Sequence, residues 1–131
     1  MERSIKLTNL LRDGDAFVVN FPNVGQLMEI DAMKIAISNN QYAEMVRSNL
    51  VSMENTLNLI DTIATFSTII PDLKSQPEFQ KKSYLELDPF LAARLVKVYA
   101  EQFYPWYSVL LKEFYDLMSG SPKIEIPNNV E

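Results

Sequence analysis

The longest regular hydrophobic pattern in the chain lies between Asn49 and Pro71. Its apolar residues recur at alternating spacings of three and four, which is the stripe that an amphipathic helix buries. Ser48 and Ser52 can act as N-caps, and Pro71 ends the pattern because the residue before a proline is pushed away from helical geometry. The pattern predicts a central helix over about residues 49–70, roughly 30 Å long at 1.5 Å per residue. The stripe consists of Leu50, Met53, Leu57, Ile60, Ile63, Ala64, Phe66 and Ile70.

A small β-hairpin is predicted near the N-terminus, over about residues 16–30. Residues 17–21 alternate apolar and polar or smaller side chains, as a strand with one buried face does. The Pro-Asn-Val-Gly sequence at 22–25 supplies turn residues, and residues 26–30 lead back as the second strand. Because a lone hairpin is marginal in water, we expect it to pack on helices.

Further helices are predicted on both sides of the central helix. Asp31 is expected to cap a helix that runs to about Ser38, and a second short helix should follow near residues 41–47. Asp88 precedes a proline, which is a sharp start signal for a C-terminal helix. Pro105 should end or kink that helix, and the apolar pattern resumes beyond it.

These signals predict a mainly α fold, a bundle of four to five helices around the central helix with the small N-terminal hairpin. At 131 residues the chain is long enough for one domain with a real core. We expect a single α-rich domain over residues 1–131, with 1–15 as an N-terminal segment and 121–131 as an extended tail. The predicted core consists of Phe17, Val19, Phe21, Met33, Ile37, Leu50, Met53, Leu57, Ile60, Ile63, Leu91, Leu95, Val98, Phe103, Leu110 and Phe114.

Composition excludes several classes of function. The chain has no cysteine and no histidine, which removes disulfides, thiol catalysis, His-based triads and most zinc sites. Its three glycines lie far apart, so no phosphate-binding loop or dinucleotide fingerprint is present. Asp13-Gly14-Asp15 lacks the ligand ladder of a calcium loop and predicts a plain turn. We therefore expect a protein that is not an enzyme and that has no cofactor, metal or catalytic residue.

Charge and hydropathy bear on partners and location. The net charge of −5 disfavours nucleic acid, which needs clustered Lys and Arg. The N-terminal residues 1–4 are polar, and the longest apolar runs are far shorter than the ~20 residues that span a bilayer. We expect protein partners, no nucleic acid and no membrane, in a cytoplasmic protein.

Aromatic residues are concentrated in the C-terminal helix, where residues 90–115 hold eight of the 14 in the chain. Tyr and Trp are enriched at binding hot spots, so the block can form an interface. Helix-core packing with partly exposed tyrosine tips is the alternative, and the sequence leaves both open. The interface candidates in this block are Tyr104, Trp106, Tyr107 and Tyr115.

The second face of the central helix is polar but almost uncharged, with only Glu54 and Asp61 between Arg47 and Asp72. Charge depletion is typical of an interface core, and equally of a helix enclosed by its own chain. Both interpretations stay open for Asn55, Asn58 and Thr62. The tail is a further candidate, because it can add a strand to a neighbouring chain. Its two apolar residues are Ile124 and Ile126.

The order of these segments suggests a resemblance. A hairpin with the Phe21-Pro22-Asn23-Val24-Gly25 turn, then Asn39-Asn40-Gln41-Tyr42, then a polar-faced helix, looks like small accessory proteins of tailed bacteriophages. These include head–tail virion components and tail assembly chaperones, and the likeness covers about residues 16–70. It implies an assembly role without catalysis, in a repeated or ring-like complex, within the host cytoplasm or the virion.

Three functional hypotheses follow. The first is a non-enzymatic assembly or structural protein that acts through protein–protein contacts, as in a virion component or a tail assembly chaperone. The second is a small helical domain that binds an apolar ligand in a cavity lined by Met53, Ile60, Phe103 and Trp106. The third is an acidic regulatory or inhibitor protein that uses its charge for steering.

Overall fold

The structure is a computed structural model, and it describes residues 2–76 and 86–120. Two strands open the chain and five helical segments follow, with short 3₁₀ turns at Val51–Met53 and Pro71–Ser75. The strands are β1 (Ser4–Thr8) and β2 (Ala16–Asn20), and the helices are α1 (Val24–Ile37), α2 (Tyr42–Ser48), α3 (Glu54–Ile69), α4 (Pro89–Val98) and α5 (Tyr104–Gly120).

The predicted fold class is confirmed: the described residues form a mainly helical bundle with an N-terminal two-stranded antiparallel hairpin. A π-helical segment, Tyr99–Phe103, joins α4 to α5 without a break. These three segments therefore form one long helix. Counted in this way, the described residues contain four helices: α1, α2, α3 and the long helix. None of them is long and apolar enough to cross a bilayer.

The predicted bounds of the hairpin, residues 16–30, are wrong. β2 pairs with β1, which lies before it, in a register that sets Ser4 opposite Asn20 and Leu7 opposite Phe17. The turn that connects them is the loop at residues 9–15, where Gly14 takes a positive φ of 89°. Leu7 and Val19 are buried on the inner face of this hairpin.

Residues 24–30 are helical rather than extended, because a capping box starts α1 earlier than we predicted. The Asn23 side chain accepts a hydrogen bond from the Gln26 backbone N–H, and the Gln26 side chain accepts one from the Asn23 backbone N–H. Asp31, the predicted N-cap, lies inside α1 instead. The helix ends at Ile37, close to the predicted Ser38.

The central helix starts later than predicted and ends almost where predicted. α3 begins at Glu54, and neither Ser48 nor Ser52 caps it, since its N-cap Met53 makes no side-chain hydrogen bond. It ends at Ile69, next to Pro71. The Asp88 carboxylate caps α4 as predicted and accepts a hydrogen bond from Leu91 N at 3.0 Å.

The core surrounds the C-terminal half of α3, in which every residue from Thr62 to Ile70 is buried. The hairpin, α1 and the long helix cover it. Leu50 was predicted in the core but is exposed, because it precedes α3 in an extended conformation. The buried residues of this core are Leu7, Leu10, Leu11, Val19, Ile30, Ala64, Phe66, Ile69, Ile70, Leu73, Leu95, Val98, Phe103 and Tyr107.

The π-helical segment attaches the hairpin to the bundle. The Gln102 side chain accepts a hydrogen bond from Thr8 N and donates one to Thr8 O, both at 2.9 Å. The Gln102 side-chain amide therefore forms the two hydrogen bonds with Thr8 that the backbone of a neighbouring strand would form. The segment precedes Pro105, where the sequence predicted an end or a kink, and the extra residue per turn changes the faces that α5 presents.

Candidate protein-interaction surface

The polar residues in the C-terminal half of α3 are enclosed by their own chain. Thr62 is 0% exposed, and its hydroxyl donates to the Asn58 carbonyl one turn earlier at 2.6 Å. Ser67 and Thr68 bond to the Ile63 and Ala64 carbonyls in the same way. Such local bonds satisfy a buried hydroxyl without charge. Thr62 is therefore part of the core and leaves the predicted interface.

The N-terminal half of α3 differs, because it faces solvent. Asn55 and Asn58 are both exposed, so these two predicted interface residues remain available to a partner. The low charge of the polar face of the predicted central helix thus has a different explanation in each half of the helix. Its own chain covers the C-terminal half, and the described residues leave Asn55 and Asn58 of the N-terminal half exposed.

The aromatic block splits in a similar way, and most of its rings lie inside the fold. Phe103 is the centre of the cluster, with ring centroids 4.7 Å from Tyr107, 5.6 Å from Trp106 and 5.3 Å from Phe66. Tyr107 is buried, so it too leaves the predicted interface. Burial raises the pKa of Tyr107 to about 12.

Tyr104 and Tyr115 are about half exposed and remain candidates for a contact. Trp106 is half-buried, and its indole Nε1–H donates to the Glu2 carbonyl at 2.9 Å. Trp106 therefore holds the start of the hairpin against α5 and presents only part of its ring. The remaining candidates, Ile124 and Ile126, lie outside the described residues.

A partly buried polar group joins the first three helices. Tyr42 of α2 donates a 2.6 Å hydrogen bond to Asp61 of α3, and Lys34 of α1 lies 3.5 Å from the same carboxylate oxygen. The Lys34 ammonium also lies 5.4 Å from the Tyr42 ring centroid. Burial and the Asp61 charge raise the pKa of Tyr42, which keeps the phenol protonated as a donor. The group positions the short helix α2.

The carboxylates of the hairpin loop also have structural roles. Both oxygens of Asp15 accept backbone N–H groups, from Leu10 at 2.7 Å and from Leu11 at 2.8 Å. Asp13 pairs with Arg94 of α4 at 3.2 Å. Asp13-Gly14-Asp15 is thus a turn, as its sequence predicted. Across the described ranges, no three acidic residues are grouped so that they could hold a metal ion.

Two apolar grooves flank the open half of α3. Groove A lies between α1, α2 and α3 and has a volume of about 410 Å³, with walls that include Ile37, Met45 and Met53. Groove B lies between α3 and α4 and has a volume of about 470 Å³, with walls that include Leu87 and Val96. Leu59 and Ile63 belong to both grooves.

The four residues of the predicted ligand cavity do not share either groove. Met53 and Ile60 line groove A, but Phe103 and Trp106 belong to the aromatic cluster on the other side of the core. The prediction grouped residues by helix face, whereas Phe103 packs against Phe66 and Trp106 in the aromatic cluster and lines neither groove.

Several exposed apolar side chains lie close in the sequence to residues that line the grooves. Phe90 is 83% exposed next to Pro89 of groove B, and Val51 is 80% exposed near Met53 of groove A. Val46, which follows Met45 of groove A, and Leu50, which precedes Val51, are also exposed. We call this area, the two grooves with these four residues, the α3 surface. Isolated exposed apolar residues are normal, but a cluster of this kind is typical of an interaction site.

Comparisons with protein family models, with curated proteins and with solved structures found no match.

Sequence reasoning found Met53, Asn55 and Ile60 near this site but did not assign its exposed apolar residues to a surface. Leu50 fits the buried helical stripe, Val51 stands beside that stripe without a pattern of its own, and Phe90 belongs by spacing to the apolar face of the C-terminal helix. Periodicity shows which residues share a face, and the packing of other elements decides whether that face is covered.

Proposed function

We propose that this protein is a non-enzymatic assembly protein that acts through protein–protein contacts. The observation that carries the proposal is the α3 surface, an apolar area of two grooves and four apolar side chains that the described residues leave exposed. Its charge is low, since Glu54 and Asp61 are the only charged residues of α3, and Asp61 is paired with Lys34. Low charge with exposed aromatic and aliphatic groups is typical of interface cores.

The resemblance to phage accessory proteins suggests which kind of assembly this is. A virion component or a tail assembly chaperone works by repeated contacts between subunits, and it would act in the host cytoplasm or in the particle. The half-exposed tyrosines Tyr104 and Tyr115 supply a further contact area on the long helix.

Photo-crosslinking tests the proposal directly. A photoreactive residue placed at Asn55, which is exposed and lines groove B, should form a covalent adduct with a protein in cells that make this chain. The same residue at Lys6, on the exposed face of β1, serves as the control and should give much less adduct. Equal yields at the two positions, or none at either, would contradict an interaction site at the α3 surface.

A second candidate is binding of a small apolar ligand, which the grooves themselves favour. Volumes of about 410 and 470 Å³ fall within the range of small-molecule sites. A fluorescent fatty acid added to the purified chain should then bind at one site per chain, and Thr56→Lys in groove A should weaken that binding. Binding that is weak and unaffected by Thr56→Lys would remove this candidate.

A further inference from the structure

The last ten residues of α5 end in apolar side chains that the described residues leave largely exposed. The apolar residues of this part of the helix continue the stripe that starts at the buried Leu110, at spacings of four, three and one: Phe114 is half-buried, Leu117 is 67% exposed and Met118 is 65% exposed. We call residues 111–120 the α5 end. A stripe at this spacing is the face that a helix buries against another surface.

The α3 surface offers apolar grooves to such a helix. Grooves A and B lie side by side along α3 and share Leu59 and Ile63, so they form one continuous apolar area. No described residue of α5 lines either groove. An amphipathic helix that places its apolar face in a hydrophobic groove is a common mode of recognition, in which side chains one turn apart act as anchors.

We infer that the α5 end of one copy of this chain docks on the α3 surface of a second copy. The inference rests on the proposed function and specifies its partner. The donor face and the acceptor surface are different parts of the chain, so the contact is heterologous, and repetition gives a ring or an open filament. Each subunit then contributes its helix to one neighbour and receives a helix from another.

The available area supports an interface of modest size. With roughly 60–120 Å² of apolar surface per aliphatic side chain and about 150–250 Å² per aromatic one, the exposed parts of both surfaces offer on the order of 500 Å². Since a little over half of a typical interface is apolar, the total is about 1,000 Å², the lower limit for a specific contact. We therefore expect association that depends on protein concentration.

Charges permit this contact. On the α5 end, Lys112 and Asp116 pair with each other at 2.7 Å, on the side of the helix opposite the apolar stripe. On the α3 surface, Asp61 is paired with Lys34, and Asn55 and Thr56 are uncharged. Glu54 and Glu113 are exposed beside the two surfaces, but neither the groove linings nor the apolar stripe contains a charged residue. Contact between these parts therefore buries apolar groups and no unpaired charge, which would be costly.

A complementation experiment tests the inference. The helix variant carries Leu117→Asp and Met118→Asp, and the groove variant carries Thr56→Lys and Ala93→Lys. All four positions are exposed, so both variants should fold. Each variant alone should be a monomer of 15.0 kDa at concentrations where the wild-type chain associates. A 1:1 mixture should form a dimer and grow no further, because the pair retains one intact helix and one intact groove.

A control variant on α5 carries Lys112→Gln and Ser119→Asp, which alter the charge by the same amount on the opposite face of the helix. It should associate as the wild type does. Wild-type protein that stays monomeric, a helix variant that associates normally, or a mixture that stays monomeric would each overturn the inference. If the inference fails but the crosslink at Asn55 still forms with another protein, the proposed function stands; if neither occurs, both fail.

Discussion

At the scale of single residues, Gln102 makes the most specific link between the hairpin and the helices. Its side chain bonds to both the N–H and the carbonyl of Thr8, two partly buried backbone groups. Gln102→Ala leaves both groups unsatisfied, and we expect a loss of about 1–3 kcal/mol in the free energy of unfolding. Urea denaturation measures this, and hydrogen exchange at the Thr8 amide should accelerate.

The neighbouring residue provides the control. Glu101 is exposed in the same π-helical segment, so Glu101→Ala should change stability by no more than about 0.5 kcal/mol. Equal stability of the two variants would show that the Gln102 bonds contribute nothing to holding the hairpin.

Thr62 and Asn58 test the division of α3 into a covered half and an open half. Thr62→Lys places a charge where the native side chain is fully buried, and we expect more than about 3 kcal/mol of destabilisation. Asn58→Lys, one turn earlier on an exposed position, should be nearly neutral in the monomer. Thermal unfolding of both variants compares them, and a Thr62→Lys chain as stable as Asn58→Lys would refute the burial of Thr62.

Tyr107 makes stability depend on pH in the alkaline range. Burial raises the pKa of its phenol from 10.0 to about 12, so the folded state holds the proton more tightly than the unfolded state. That contribution, about 2–3 kcal/mol, is complete below pH 10 and is lost as the pH rises towards 12. Tyr107→Phe should therefore flatten the decline, measured by urea denaturation at each pH. An unchanged pH profile would contradict this role.

At the scale of elements, the π-helical segment sets the rotation of α5 relative to α4. One residue of an α-helix corresponds to about 100° of rotation, so deletion of Ala100 should turn Phe103 and Tyr107 away from their partners. We expect loss of cooperative unfolding, or destabilisation beyond about 4 kcal/mol. Ala100 is exposed, so Ala100→Ser should be tolerated. Circular dichroism during thermal unfolding checks both, and a stable deletion variant would show that the extra residue is dispensable.

Local signals predicted those element ends that depend on nearby residues alone. Asp88-Pro89 starts α4 and Pro71 follows α3, as their chemistry requires. The start of α1 was missed although its capping box, Asn23 with Gln26, is present in the sequence. The partner of β2 was missed for a different reason. β1 alternates polar and apolar residues over Ser4–Thr8, but five residues are too few to separate a strand from a helical turn, and its pairing depends on a contact across the loop.

The candidate site was predictable only in part. Exposure of Asn55 and Asn58 agrees with the interface interpretation, whereas Thr62 and Tyr107 have the same composition signals and lie inside. A charge-poor helix face and an aromatic surplus occur both in cores and in interfaces. The two cases are separated by which elements pack on each face, and that is a property of the tertiary structure.

At the scale of the whole molecule, the core and the proposed assembly use different parts of the same helices. The C-terminal half of α3 and the start of α5 build the core, and the opposite ends of both helices are left uncovered by the described residues. Substitutions in the exposed parts should therefore change association with little effect on folding. This separation makes the proposed function testable with variants that fold.

The most direct test is the mass of the purified wild-type chain in solution, measured by light scattering across a concentration series. We predict a mass that rises from 15.0 kDa towards multiples of that value as concentration increases, and that stays at 15.0 kDa for the Leu117→Asp, Met118→Asp variant. A wild-type mass of 15.0 kDa at every concentration would contradict assembly of this chain with itself.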